Sequence, residues 1–293
     1  MPAADGSIDA AFLPSLRDRP CLYPDGAGSA GQAWACRSAY VYAGGQATPL
    51  GPQDDPAALL ARLGGAGPAD RIRVLAAGSN AYPRQLLDKF REHAVRDDSV
   101  LTVPCTAPGA AVSYVAALSR WGYVPVGMRS QPGAECATWV QLLTVEQLAA
   151  IARTEGKAYR LVRVPGVVTP ALDGLDGRGV EEGGATVYGW AHERLLAWEG
   201  DVLETGAAEP DLAGASPAGA GPLDLASMSQ RALLARLVEA VLPGLEWDGC
   251  RLPETARGPI DAWLRGRAIA NDLPSAWRPL DRDAADFPDC LLG

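Results

Sequence analysis

The chain has 293 residues, a formal net charge of −9 and a sequence pI near 4.8. Its length can bury a full core, in one large domain or two small ones. The acidic balance argues against nucleic acid or an anionic membrane as partner, and no run of about eighteen apolar residues offers a membrane span.

Asp5 and Asp9 stand where a signal peptide would carry positive charge, so a cytoplasmic protein is expected. The six cysteines, Cys21, Cys36, Cys105, Cys136, Cys250 and Cys290, include no CxxC pair. That scatter suits neither a zinc site nor a compact disulfide framework, and it reads as isolated, small apolar residues. No metal or cofactor is called for. Residues 1–68 are rich in Gly, Pro, Ala and Asp and read as an N-terminal extension packed on the core. Within them Ala39 to Leu50 has the pattern of a hairpin turning at Gly44-Gly45. Asp55-Pro56 opens a short helix that Gly64-Gly65 would close.

The stretch from Arg71 to Phe90 organises the rest. Val74, Leu75, Ala76 and Ala77 form a run of the length of a buried strand, and Gly78-Ser79-Asn80 ends it with residues suited to a tight turn and a helix N-cap. Pro83 then falls in a first helical turn, and Leu86, Leu87 and Phe90 have helical spacing. Backbone N–H groups at such a hinge suit a carboxylate or phosphate, although an ordinary strand-to-helix turn has the same sequence.

Ser99–Pro104 reads as a strand, Tyr123–Met128 as extended chain, Gln131-Pro-Gly133 as a turn and Cys136–Leu143 as a strong strand. Thr144-Val-Glu-Gln147 matches a capping box that starts a helix through Leu148 and Ile151, with Gly156 as its C-terminal cap. Glu155 therefore sits at the negative end of that helix, where the dipole disfavours its charge by roughly 0.3–1 kcal/mol and equips it to take up a proton. The same position also suits a glutamate that merely points to water. Tyr159–Val164 returns as a strand, and Thr186–Ala191 with Arg194–Trp198 reads as a second strand pair. Residues 206–222 read as a linker, and 223–293 as a helical C-terminal extension with a helix from Ser229 to Leu242 and Trp247, Trp263 and Trp277 as packing anchors.

Common catalytic signatures are missing. The chain has no G-x-S-x-G elbow, P-loop, G-x-G-x-x-G or H-E-x-x-H, and its two histidines, His93 and His192, stand alone. What remains is a pair of motifs in order. Gly78-Ser79-Asn80 after a strand resembles the G-S-N signature of the γ-glutamylcyclotransferase-like family, and Leu148 to Tyr159, with its Glu-Gly, resembles the family's second signature.

That resemblance, over roughly residues 70–200, implies an α+β fold: a core of residues 69–206 forming a small mixed β-barrel with flanking helices, carrying N- and C-terminal extensions. It implies a pocket in which Gly78, Ser79 and Asn80 bind the glutamyl end of a small γ-glutamyl substrate, Glu155 moves protons, and Tyr159 lines the wall. The family has Tyr directly before G-S-N where this chain has Ala77, which would widen the pocket unless Tyr82 or Tyr114 compensates. The expected products are 5-oxoproline and a free amine. A catalytically silent binder of a small molecule or protein, or another glutamate-dependent lyase or amide-forming reaction on the same fold, are the alternatives.

Overall fold

The computed structural model describes residues 7–20, 39–51, 54–63, 66–172, 186–198, 201–205 and 227–280. Gly64-Gly65 and the linker at 206–222 lie outside them.

The described chain begins with a two-residue strand β1 (Ile8–Asp9) and the hairpin β2 (Tyr40–Ala43) and β3 (Gln46–Pro49). Ala43 pairs with Gln46, so the loop is Gly44-Gly45, at φ +57° and +81°. Two successive left-handed residues are what a two-residue hairpin turn needs, and glycine supplies them without steric cost. Helix α1 (Pro56–Arg62) is capped by Asp55, whose carboxylate accepts from the N–H groups of Ala57 and Ala58. Strand β4 (Ile72–Leu75) leads into α2 (Pro83–Glu92). Two long strands follow, β5 (Val100–Tyr114) and β6 (Val126–Leu143), and then α3 (Val145–Thr154), whose Thr144–Gln147 capping box is fully formed. Gly156 takes φ +68° beyond its end.

Strands β7 (Tyr159–Val164), β8 (Val187–His192), β9 (Arg194–Trp198), β10 (Asp201–Val202), β11 (Glu204–Thr205) and β12 (Ser227–Met228) precede α4 (Gln230–Val241), α5 (Glu254–Arg265) and β13 (Ala268–Ala270). The main sheet is mixed, in the order β1-β3-β2-β5-β6-β4-β8-β7, with β11 and β12 attached beside β5. Only β4–β8 and β11–β12 pair in parallel. Among the described residues no closed barrel is found. At one end of the sheet β1 is only two residues long, and at the other β7 bonds residues 278–280, through Arg163 N–H to the Arg278 carbonyl and Leu280 N–H to the Leu161 carbonyl. Closure would need those two edges to meet.

Alternation along the strands divides the interior in two. Ile72, Val74 and Val100 face a core shared with Leu86 and Phe90 of α2, Leu148 and Ile151 of α3, Leu233 and Leu237 of α4, and Ile260 and Leu264 of α5. Leu75, Leu101, Val103 and Val140 face the other core, with Leu60 of α1 and Trp277. Residues 40–49, from the expected N-terminal extension, are thus strands of the main sheet, and α4 and α5, from the expected C-terminal one, share the core of α2 and α3.

Several expectations are corrected. Gln131-Pro-Gly133 is not the turn between strands: the register moves from Pro108↔Glu135 to Ala110↔Ser130, so these residues bulge out of β6, and the hairpin turns at 115–125 instead. Strands β8 and β9 do not pair with each other; β8 lies between β4 and β7, whereas β9 joins β10 and β13 in a small second sheet. Cys250 is disulfide-bonded, contrary to its reading as an isolated small apolar residue. Cys105 and Cys136 are not disulfide-bonded. No described helix is long and apolar enough to cross a membrane.

Candidate functional site

The loop after β4 is held on several sides. Ala76 N–H bonds the Trp139 carbonyl on β6, and residues Ser79–Ala81 form a single 3-10 turn, closed by Ala81 N–H to the Gly78 carbonyl and Tyr82 N–H to the Ser79 carbonyl. The N-cap of α2 is Tyr82, with Pro83 at the first helical position, so neither Ser79 nor Asn80 caps the helix as expected. The turn lies between, and it faces Asn80 inward; that residue is only 9 % exposed. The Asn80 carbonyl accepts from Gln141 Nε2 of β6 at 2.8 Å, and the Ala81 carbonyl accepts from the Tyr40 hydroxyl of β2.

Glu155 arrives from the other direction as the C-cap of α3. Its Oε1 accepts from Asn80 Nδ2 at 3.1 Å and from Lys89 Nζ at 2.9 Å, and Lys89 Nζ also reaches Asn80 Oδ1 at 2.6 Å. The three side chains close a ring of polar contacts. Lys89 is 5 % and Glu155 15 % exposed, so their charges neutralise each other in a largely desolvated niche. Both donors go to Oε1, and Oε2 has no partner among the described residues.

Ala77, Gly78, Ser79, Asn80, Glu155 and Tyr159, the residues singled out in the sequence, line one slot, together with Trp190 of β8 and Gly127 of β6. Its volume is about 30 Å³, about the share of one water in liquid water. Tyr159 is fixed there by its hydroxyl, which donates to the Val126 carbonyl at 2.7 Å, and by an edge contact with His192. Gly127 permits this approach: a Cβ on it would lie 3.2 Å from the Cβ of His192 and 3.6 Å from the Tyr159 ring. Burial pushes the His192 imidazole below its ordinary pKa, and its Nδ1 accepts from Arg194 N–H, so it acts as packing beside the slot and does not line it. Burial and the nearby Glu155 carboxylate push the Tyr123 phenol up to about 12, which keeps it protonated.

The two tyrosines expected to compensate for Ala77 are not at the slot. Tyr82 donates its hydroxyl to the Pro14 carbonyl, and Tyr114 is fully buried in the core. Trp190 supplies the aromatic surface that Ala77 lacks. Lys89, Gln141 and Trp190 were not singled out in the sequence. For Lys89 a signal existed, since it lies one position before Phe90 and three after Leu86, on the apolar side of α2. Among the described residues no group of three His, Cys, Asp or Glu side chains is arranged to hold a metal.

No protein-family model, curated protein or solved structure matches the chain.

Proposed function

We propose that the slot carries out an intramolecular γ-glutamyl transfer, with Glu155 as the proton shuttle. The observation that supports this reading is the division of labour on one carboxylate: Oε1 is pinned by Asn80 and Lys89, while Oε2 has no partner among the described residues, and Glu155 lines the slot with Gly78-Ser79-Asn80. A carboxylate held by one oxygen is oriented, and its other oxygen can accept and return a proton.

The chemistry balances as follows. The substrate's α-ammonium gives a proton to Oε2, and the freed amine attacks its own γ-carbonyl carbon, forming the ring C–N bond. The tetrahedral oxyanion is met by donors of the 78–80 loop. Collapse breaks the bond to the departing nitrogen. In all, two protons pass from the α-nitrogen to that nitrogen through Glu155, giving the lactam 5-oxoproline and a protonated amine. Because nucleophile and electrophile belong to one bound molecule, positioning replaces a protein nucleophile. A γ-glutamyl group is larger than the space of about 30 Å³, so only part of it enters unless the slot widens.

The second reading is a catalytically silent binder, and the narrow slot with its already satisfied Oε1 favours it. One experiment separates the two. Wild type and Glu155→Gln are assayed in parallel for 5-oxoproline release from a panel of γ-glutamyl amines and amino acids. The enzyme reading expects turnover by wild type and a loss of about 10²–10⁴-fold in the variant. Equal rates, or binding without turnover by either protein, overturn it.

A further inference from the structure

A larger groove, of about 650 Å³, lies apart from the Glu155 slot and shares no lining residue with it. That volume is in the range of small-molecule sites. It forms where β9, α4, the end of α5 and β13 converge. Pairing of Ala268 with Leu196, and the bond from Ala197 N–H to the Arg267 carbonyl, bring Arg267 beside Trp198. Small residues, Ala240, Gly266 and Ala268 among them, leave the space open.

Three side chains give the groove its chemistry. The Trp198 and Trp263 rings lie 4.8 Å apart, tilted by 50°, and both are half-buried. The Arg267 guanidinium stands 3.5 Å from the Trp263 ring centre. Arg267 is exposed, and no carboxylate among the described residues pairs with it, whereas Arg265 two positions earlier holds Asp261 at 2.7 Å. The indole orients that guanidinium without consuming its charge.

We propose that this groove binds a small planar aromatic carboxylate. The two indoles offer tilted faces and edges to a ring, the geometry in which aromatic groups associate best. The stacked guanidinium offers its fork to a carboxylate, a bidentate partner that a neutral ring cannot supply. The occupant is thus set by charge complementarity at Arg267 together with aromatic contact at Trp198 and Trp263.

The test uses the full chain with two probes of one shape, 2-naphthoate and the uncharged 2-naphthamide. The indole N–H signals of Trp198 and Trp263, assigned with Trp198→Phe and Trp263→Phe, report binding. Naphthoate is expected to shift both signals saturably, and naphthamide to bind about tenfold more weakly, the worth of a charge-assisted hydrogen bond. Arg267→Gln should weaken naphthoate by about the same factor and leave naphthamide unchanged. Glu155→Gln should change neither, which separates this site from the slot. Equal affinity for the two probes, an unaffected Arg267→Gln, or no shift of these two signals at millimolar ligand overturns the proposal. Should Arg267→Gln fail to fold, the comparison of the two probes on wild type still decides.

Discussion

Replacing Lys89 by Met tests whether the polar ring at Glu155 is a unit or a coincidence of neighbours. Met retains most of the aliphatic stem and its packing but removes the ammonium that bonds Asn80 at 2.6 Å and Glu155 at 2.9 Å. Stripping one partner from a buried ion pair costs about 3–5 kcal/mol, because the remaining charge is left uncompensated. Here Glu155 keeps the bond from Asn80 Nδ2 and is 15 % exposed, so it recovers some hydration. The expected cost is therefore lower, about 2–3 kcal/mol. Glu155→Gln removes the opposite charge, and in the double variant neither charge is left alone. Lys89→Met/Glu155→Gln should then cost less than the sum of the single changes by about 1–2 kcal/mol. Urea unfolding with linear extrapolation measures all four proteins. Strict additivity, or a Lys89→Met cost below about 0.5 kcal/mol, would refute the coupling.

Three further outcomes follow from the geometry. Arg71 is completely buried at its guanidinium and bonds the carbonyls of Ala66, Ser99 and Leu142 as well as Asp97, so Arg71→Met should lose about 3–5 kcal/mol by urea unfolding. A Cβ on Gly189 would lie 2.8 Å from Met128 Sδ and 3.2 Å from Val164 Cγ2, so Gly189→Ala should destabilise by about 1–3 kcal/mol, read as a lowered Tm. Burial alone would raise the Asp97 carboxyl, but hydrogen bonds from Ser99 and Ala66 and the Arg71 guanidinium outweigh it and hold the group below its ordinary value. The unfolded chain then binds the extra proton first, so this stabilisation is complete above about pH 4 and is lost as pH falls through the depressed folded value. Asp97→Asn should flatten the Tm profile in that acid range; an unchanged slope would count against the assignment.

The local elements were legible because short-range chemistry decides them. Thr144 and Gln147 specify a capping box within four residues, and Gly44-Gly45 can satisfy a two-residue turn with no information from elsewhere. Pairing was less legible. Gln131-Pro-Gly133 has turn composition, yet β5 and β6 continue past it, because the apolar residues on both sides (Met128 and Val140 on β6, Val103 and Cys105 on β5) bury on the same face. A bulge satisfies the local preference and the long-range pairing together. Likewise β8 and β9 are separated only by Glu193, which leaves no room for a hairpin and sends them to different sheets.

The site divides along the same line. Loop and glutamate were readable as two motifs, but what joins them is Lys89, whose place on the apolar side of α2 marks it as buried without naming its partners. Position alone placed Glu155 at an unfavourable helix end, with the dipole as its dominant neighbour. The fold instead sets a full positive charge 2.9 Å from it, and a unit charge at contact distance outweighs the partial charge of a helix terminus. The carboxylate is thereby held and oriented by Lys89 and Asn80. Lys89 belongs to the same hydrogen-bonded unit as Asn80 and Glu155, and a variant at any one of the three should be interpreted through the other two.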